Sequence, residues 1–180
     1  MDTTNMKPKN KKMNGCLIIV IVFIIICGIN AIVIPALSLG DPFAKVQVKD
    51  DVTIYSRISK EELLKIKGNP ESTEKWNQTT PNTKKTYNMT ILTYSRGKEE
   101  FILSSEGKVV RYNKYLTEEY SKQDNVSKYL LTWGIKTRDS MTIVSNWNGM
   151  LRCQSVSDNV AEVWYVTDIL KITYDLRYFD

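Results

Sequence analysis

Apolar residues are concentrated near the N-terminus, in a segment without charge. No charged residue occurs between Lys12 and Asp41, and 16 of the 24 residues from Cys16 to Leu39 are Leu, Ile, Val or Phe. As a helix this segment would be about 36 Å long, more than the roughly 30 Å of a bilayer's hydrocarbon core. The pattern predicts a transmembrane helix within residues 13–40, in contact with the lipid bilayer from Cys16 to Leu39.

The charges on either side of this segment predict its orientation. Residues 1–12 contain four lysines and one aspartate, whereas the charges that follow residue 40 are nearly balanced. The basic side of a transmembrane helix stays in the cytoplasm. We therefore expect a cytoplasmic tail over residues 1–12, a signal-anchor over 13–40, and an extracellular part over 41–180 of a single-pass plasma-membrane protein. Cleavage near Ser38 is the alternative, because Ala36 and Ser38 are small, but the apolar segment is longer than a secretory signal needs.

Beyond the apolar segment, the pattern predicts short helices and antiparallel strands. Ser59 to Glu62 form a capping box, apolar residues follow, and Gly68 with Pro70 ends a helix of about nine residues. Three strands are expected next, over 87–94, 99–103 and 108–112, with a polar loop over 77–85. The pattern then recurs: a helix beginning at Ser127 precedes expected strands over 141–145, 150–156, 161–167 and 170–177, and a helical turn is expected over 116–122.

These elements predict an α+β fold: an N-terminal transmembrane helix, a linker over residues 41–53, and an outer domain of two halves, over 54–114 and 115–180. Each half is expected to contain a short helix followed by an antiparallel meander. An outer domain of about 140 residues is large enough to bury its own core. The residues expected in that core are Leu63, Leu64, Ile91, Leu103, Val110, Leu130, Leu131, Trp164 and Ile172.

Charge and composition limit the functions that the sequence indicates. The net charge of +5 divides into +3 for residues 1–40 and +2 for the rest, so the outer part has no electrostatic footprint for nucleic acid. The chain has no histidine, the commonest general base and zinc ligand, and no motif for a cofactor or a metal. Adjacent carboxylates such as Glu99 and Glu100 point in different directions. We therefore expect no enzyme activity; a histidine-free, carboxylate-dependent cell-wall hydrolase is the alternative.

The sequence leaves open the state of one cysteine and of three possible glycosylation sites. Cys153 is the one cysteine beyond the apolar segment, and burial as a small apolar residue is favoured over an intermolecular disulfide. Asn77, Asn88 and Asn125 each begin an Asn-x-Ser/Thr triplet, which would be a glycosylation site in a eukaryotic secreted protein.

Four features follow one another along the chain: a segment over 58–72 whose helix ends at Gly68-Asn69-Pro70, then Trp76, then Tyr94, and a strand pair that ends at residues 107–111. Together they resemble a β-lactamase-inhibitor-like repeat. The same arrangement occurs in small outer-membrane-assembly lipoproteins. The segments 157–164 and 172–179 look similar to uncharacterised extracytoplasmic proteins of low-GC Gram-positive bacteria. The resemblance implies a sheet whose concave face binds proteins. The cysteine pairs of the inhibitors and the lipid-attachment cysteine of the lipoproteins are both missing here.

Aromatic residues supply the candidate contact residues. Trp133 and Trp164 lie among aliphatic residues and are expected in the core, whereas Trp76 and Trp147 have polar neighbours. Tyr and Trp dominate the energetics of many protein interfaces. We therefore predict a membrane-anchored module that binds a protein or a component of the cell envelope, with Trp76 and Trp147 as its contact residues.

Overall fold

An eight-stranded antiparallel sheet dominates the computed structural model, which describes residues 46–180. Two helices, α1 (Lys60–Lys67) and α2 (Val126–Leu131), and two 3-10 turns, Val52–Tyr55 and Leu176–Tyr178, accompany the sheet. The strands are β1 (Ser72–Thr79), β2 (Thr86–Tyr94), β3 (Glu99–Leu103), β4 (Val109–Tyr115), β5 (Thr142–Trp147), β6 (Met150–Gln154), β7 (Glu162–Val166) and β8 (Ile169–Thr173).

The predicted transmembrane segment, residues 13–40, lies outside the described residues, as does the predicted cytoplasmic tail. Within residues 46–180 no helix combines the length and the apolar character that crossing a bilayer requires. The structural account below therefore concerns the part of the chain that follows the predicted anchor.

The spatial order of the strands is β1-β2-β3-β4-β8-β7-β6-β5. Each half of the domain is thus a short helix followed by a four-stranded meander, and the two meanders join where β4 pairs with β8. The predicted α+β class is confirmed, but the prediction of three strands in the first half is wrong. The segment predicted as a loop from Asn77 onward includes the end of β1, which pairs with β2 from Ser72↔Thr93 to Thr79↔Thr86. An edge strand needs only one paired neighbour, so its sequence can stay polar.

The beginnings of the two helices differ in how well the sequence predicts them. The capping box of α1 is confirmed: the Ser59 hydroxyl accepts from the Glu62 amide at 3.2 Å, and the Glu62 carboxylate accepts from the Ser59 amide at 2.7 Å. The α2 helix begins before Ser127, because the Asn125 side chain accepts from the Lys128 amide at 2.9 Å and caps it. Asn, like Ser, is a strong N-cap residue, so the prediction selected the wrong one of two good candidates.

The helical turn predicted over residues 116–122 is wrong, since this segment is a loop fastened to the second half of the sheet. The Tyr120 hydroxyl and the Gln123 amide both donate to the Asn146 side-chain oxygen, at 2.7 and 3.2 Å. The amide of Gly149 donates to the Tyr120 carbonyl at 2.8 Å. These long-range hydrogen bonds replace those that a local helix would have made.

Both helices pack on one face of the sheet, called the helix face. Its centre is a row of cross-strand partners, Leu92, Phe101, Tyr112 and Ile172, on β2, β3, β4 and β8. All four side chains are buried in one cluster with Leu63 of α1, Leu130 of α2 and Val52 of the first 3-10 turn. Cross-strand partners point to the same side of a sheet, so alternate residues of each strand reach the other side, called the opposite face.

The predicted core is correct in part. Leu63, Leu103, Val110, Leu130 and Ile172 are buried, as predicted. Leu64, Ile91, Leu131 and Trp164 are only partly buried, so their assignment to the core is wrong. In α1 and α2 the sequence offers two adjacent leucines, and a helix of two turns can turn only one of them directly toward the sheet.

The segment that precedes the first 3-10 turn is attached to the helix face by hydrogen bonds. The amides of Lys49 and Val52 donate to the carbonyls of Thr132 and Trp133, at 2.7 and 3.1 Å. The Asp50 carboxylate forms an ion pair with the Lys114 ammonium at 2.6 Å. The later residues of the predicted linker thus belong to the packed unit, which extends over residues 46–180.

A buried carboxylate connects α1 to the sheet. Glu99, which is 7 % exposed, accepts hydrogen bonds from the Lys67 ammonium at 2.6 Å, from the Ser95 hydroxyl at 2.7 Å and from the Tyr112 hydroxyl at 2.7 Å. Burial alone would raise the pKa of Glu99, but these three hydrogen bonds outweigh it and lower the pKa to about 2. The carboxylate therefore stays ionised at neutral pH.

Cys153 lies fully buried on the helix face, paired with Val163 of the neighbouring strand. Burial raises the pKa of its thiol to about 11. The expectation of a buried cysteine is confirmed, and a protonated thiol without solvent access is a poor nucleophile.

Candidate functional site

Within residues 46–180 no α-helix packs on the opposite face, and the C-terminal residues cover its first half. Tyr178 belongs to a small buried cluster with Met89, Ile102 and Val110 of β2, β3 and β4. Phe179 lies over the guanidinium of Arg111, with 3.4 Å between the guanidinium carbon and the ring centroid. Among residues 46–180 no such cluster covers the strands of the second half, so the two halves differ most on this face.

An apolar row crosses β4 and the four strands of the second half on this face. The register pairs Tyr115 of β4 with Ile169 of β8, Ile169 with Val166 of β7, Val166 with Met150 of β6, and Met150 with Trp147 of β5. Five adjacent strands at a spacing of about 4.8 Å make this apolar row roughly 19 Å long. Four of its side chains are half-buried, and Trp147 at its end is 55 % exposed.

A second row, polar and aromatic, runs beside the apolar row. Trp164 lies between two cations: the Arg152 guanidinium carbon is 4.9 Å from a ring centroid of Trp164, and the Lys171 ammonium is 5.3 Å from it. Arg152 also forms an ion pair with Glu162 at 2.8 Å. Cation–π contacts of this kind hold the indole ring upright between its neighbours. The Trp164 indole nitrogen is buried without a hydrogen-bond partner.

Two cations of this face have no carboxylate partner. Among the described residues, neither Arg111 nor Lys171 forms an ion pair, although the Arg111 guanidinium donates to the Thr173 hydroxyl at 3.0 Å. Burial lowers the pKa of Arg111 to about 10. Burial, followed by repulsion from Arg111, also lowers the pKa of Lys171. Phe179 covers the Arg111 guanidinium, so a partner carboxylate would relieve this cost at Lys171.

The two tryptophans predicted as contact residues lie on opposite edges of the sheet. Trp147 of β5 is exposed and ends the apolar row, whereas Trp76 of β1 is half-buried against the cluster beneath Tyr178. The other four members of the apolar row were not singled out from the sequence. Their only local signal is the alternation within β6, β7 and β8, which indicates two faces but not which residues become neighbours.

The carboxylates of the described residues are distributed over both faces of the sheet, and Asp50 and Glu99 share one partner, the Lys114 ammonium, at 2.6 and 3.9 Å. Glu99 faces Lys114 on the helix face, and its neighbour Glu100 pairs with Asn113 on the opposite face. Asp50, Glu118 and Glu119 line a cavity of about 490 Å³ beside α2, and the Asp50 carboxylate is paired with Lys114. Within residues 46–180 no group of three potential metal ligands is present.

Comparison with known proteins adds no relative to these observations: no protein-family model, no curated protein and no solved structure matches the chain.

Proposed function

We propose that this chain is a membrane-anchored extracytoplasmic module that binds a partner protein through the apolar row on the opposite face of its sheet. The observation that supports this most directly is the row itself, five neighbouring apolar side chains of which four lie on the strands of the second half. Exposed apolar patches on folded proteins commonly mark interaction sites. The resemblance to protein-binding repeats supports protein binding in general.

The residues around the apolar row suggest the chemistry of the partner. Lys171 lies one row away and has no carboxylate neighbour within ion-pair distance among residues 46–180. The complementary surface therefore presents aliphatic or aromatic side chains flanked by at least one carboxylate. Electrostatic complementarity of this kind contributes mainly to specificity and to the rate of association.

Site-specific photo-crosslinking tests the surface directly. A photo-reactive amino acid is placed at Trp147 in the full-length protein in intact cells, and in a separate strain at Ile66, which is 48 % exposed on α1. We expect a discrete cross-linked protein from position 147 and none from position 66. The same product from both positions, or none from either, would contradict the proposed surface.

A matched pair of charge substitutions tests whether the apolar row supplies affinity. Val166→Lys places a charge in the middle of the row, whereas Ile143→Lys makes the same kind of change at an exposed residue on the helix-face side of the edge strand. We expect Val166→Lys to remove the cross-link made from Trp147 and Ile143→Lys to leave it intact. Equal effects from both variants would count against the apolar row.

Membrane fractionation and protease accessibility test the predicted anchor. The full-length protein should fractionate with membranes, and its C-terminal domain should be digested by protease added outside intact cells. Recovery of a soluble form beginning at Leu39 would instead support cleavage and secretion.

A further inference from the structure

A second cavity, of about 350 Å³, lies on the helix face at the β1 end of the sheet, away from the apolar row. Its size is at the lower end of the roughly 300–1,000 Å³ typical of small-molecule sites. Three structural elements form its wall: the beginning of α1, the paired strands β1 and β2, and the turn between β3 and β4. The side chains that matter here are Lys60, Thr73, Lys75, Thr90, Ser104 and Ser105.

The charge of this cavity is positive. Lys60 and Lys75 line it, no carboxylate does, and neither lysine forms an ion pair among the described residues. The Lys75 ammonium donates to the Thr90 hydroxyl at 3.1 Å, which leaves two of its three N–H groups free for another acceptor. Lys60 occupies the first position of α1, where the helix dipole disfavours a cation. Both lysines thus lack the compensation that an anion between them would supply.

A buried hydroxyl on the same wall lacks a partner. Ser104 is 3 % exposed, and its side-chain oxygen makes no hydrogen bond. Its backbone is held firmly, since its amide donates to the Lys108 carbonyl and its carbonyl accepts from the Gly107 amide, each at 2.9 Å. Buried hydroxyl groups normally have a hydrogen-bond partner, so the Ser104 hydroxyl, which has none among residues 46–180, is a donor in the cavity wall that a bound acceptor would satisfy.

We propose that this cavity binds a phosphate-class oxyanion, with the ammonium groups of Lys60 and Lys75 neutralising its charge and the hydroxyls of Ser104, Ser105 and Thr73 donating hydrogen bonds to its oxygens. A tetrahedral anion with several acceptor oxygens uses donors on all three walls, whereas a carboxylate offers only two oxygens. Free phosphate and the phosphodiester of a lipid headgroup share this chemistry. The site is independent of the proposed protein-binding surface, because it lies on the other face of the sheet and at its other end.

Thermal unfolding of the full-length protein in a non-ionic detergent tests the proposal. Unfolding is monitored by near-UV circular dichroism, once in sodium phosphate and once in sodium chloride at equal ionic strength. We expect phosphate, but not chloride, to raise the Tm, because a ligand that binds only the folded state stabilises it. Absence of a phosphate-specific rise would overturn the proposal, unless the headgroup phosphodiester described below raises the Tm.

Two double variants distinguish phosphate binding in the cavity from a non-specific effect of positive charge. Lys60→Met with Lys75→Met removes both cations of the site, and Lys65→Met with Lys85→Met removes the same charge from exposed positions on α1 and in the β1–β2 turn. We expect the first pair to weaken phosphate binding at least tenfold and the second pair to change it less than twofold. Equal weakening by both pairs would indicate only a screening effect and contradict the site.

The Ser104→Ala variant distinguishes a ligand contact from a structural role. Because the hydroxyl has no partner in the free protein, its removal should leave the Tm without phosphate unchanged or higher, yet weaken phosphate binding several-fold. A variant that is less stable without phosphate but binds it as the wild type does would overturn the assignment of Ser104. Glycerophosphoglycerol, a soluble headgroup phosphodiester, identifies the source: tighter binding than inorganic phosphate assigns a lipid headgroup, and weaker binding assigns the free anion.

Discussion

The buried carboxylate of Glu99 offers the sharpest test of how the fold is held together. Its pKa of about 2 lies well below its usual value of 4.5. At about 1.4 kcal/mol for each pKa unit, the ionised form contributes about 3 kcal/mol to stability at neutral pH. A lowered pKa means that this contribution is complete above about pH 4.5 and is lost as the pH falls toward 2. By pH 3, about 2 kcal/mol of it should be gone.

The Glu99→Gln substitution should therefore act in two ways. At pH 7 it removes a charge that accepts three hydrogen bonds and leaves the Lys67 ammonium beside a neutral group, so we expect a loss of about 3 kcal/mol. Between pH 7 and pH 3 the variant should lose about 2 kcal/mol less than the wild type, because it has no carboxylate to protonate. Urea unfolding of the full-length protein at both pH values measures each effect.

Glu100→Gln is the matched control, because it makes the same chemical change at the next residue, on the other face of the sheet. Glu100 is half-buried and accepts one hydrogen bond, from the Asn113 side chain at 3.0 Å. We expect this variant to lose less stability at pH 7 than Glu99→Gln, since it removes one hydrogen bond instead of three. Equal losses of stability from the two variants would refute the reasoning from burial and hydrogen bonding at Glu99.

Two further predictions concern packing. Leu63→Ala should lower the free energy of unfolding by about 2–5 kcal/mol, since Leu63 is fully buried. Leu64→Ala on the same helix should lower it by less than half as much, as measured by urea unfolding. The reverse order would mean that α1 is rotated. Gly134→Ala should cost roughly 1–3 kcal/mol, because Gly134 has a φ of +75° and a Cβ atom would lie 2.9 Å from the Asp51 Cα. Gly97→Ala is the control that measures the cost of a positive φ alone, since Gly97 has a φ of +78° and no atom lies within 4 Å of an added Cβ.

Local signals in the sequence predicted most of the elements. The capping box at Ser59 fixed the start of α1, and the apolar and β-branched segments located β2 to β4 and the four strands of the second half. The exception, β1, has the polar sequence of residues 72–79, and pairing with β2 rather than composition makes it a strand. The choice between Leu63 and Leu64 likewise depended on where α1 lies against the sheet.

Candidate binding residues were harder to predict because they belong to different strands. Trp147 was identified from its polar neighbours, and it proved to be exposed. Tyr115, Ile169, Val166 and Met150 gave no comparable signal, since each is an ordinary apolar residue in its own strand. They form one row only through the register of four strand pairs, which no local pattern specifies.

The sequence by itself determined the charge-free segment before Asp41, the α+β class of residues 46–180 and the start of their first helix. Each of these depends on residues that are close along the chain. The tertiary structure decided how the two meanders join: Arg111 of β4 bonds to Thr173 of β8 across 62 residues. That pairing brings the two halves into one sheet, and the C-terminal residues then cover only the first half of its opposite face. The apolar row and the lysine-lined cavity both follow from such long-range contacts, whose partners depend on the packing of the whole domain.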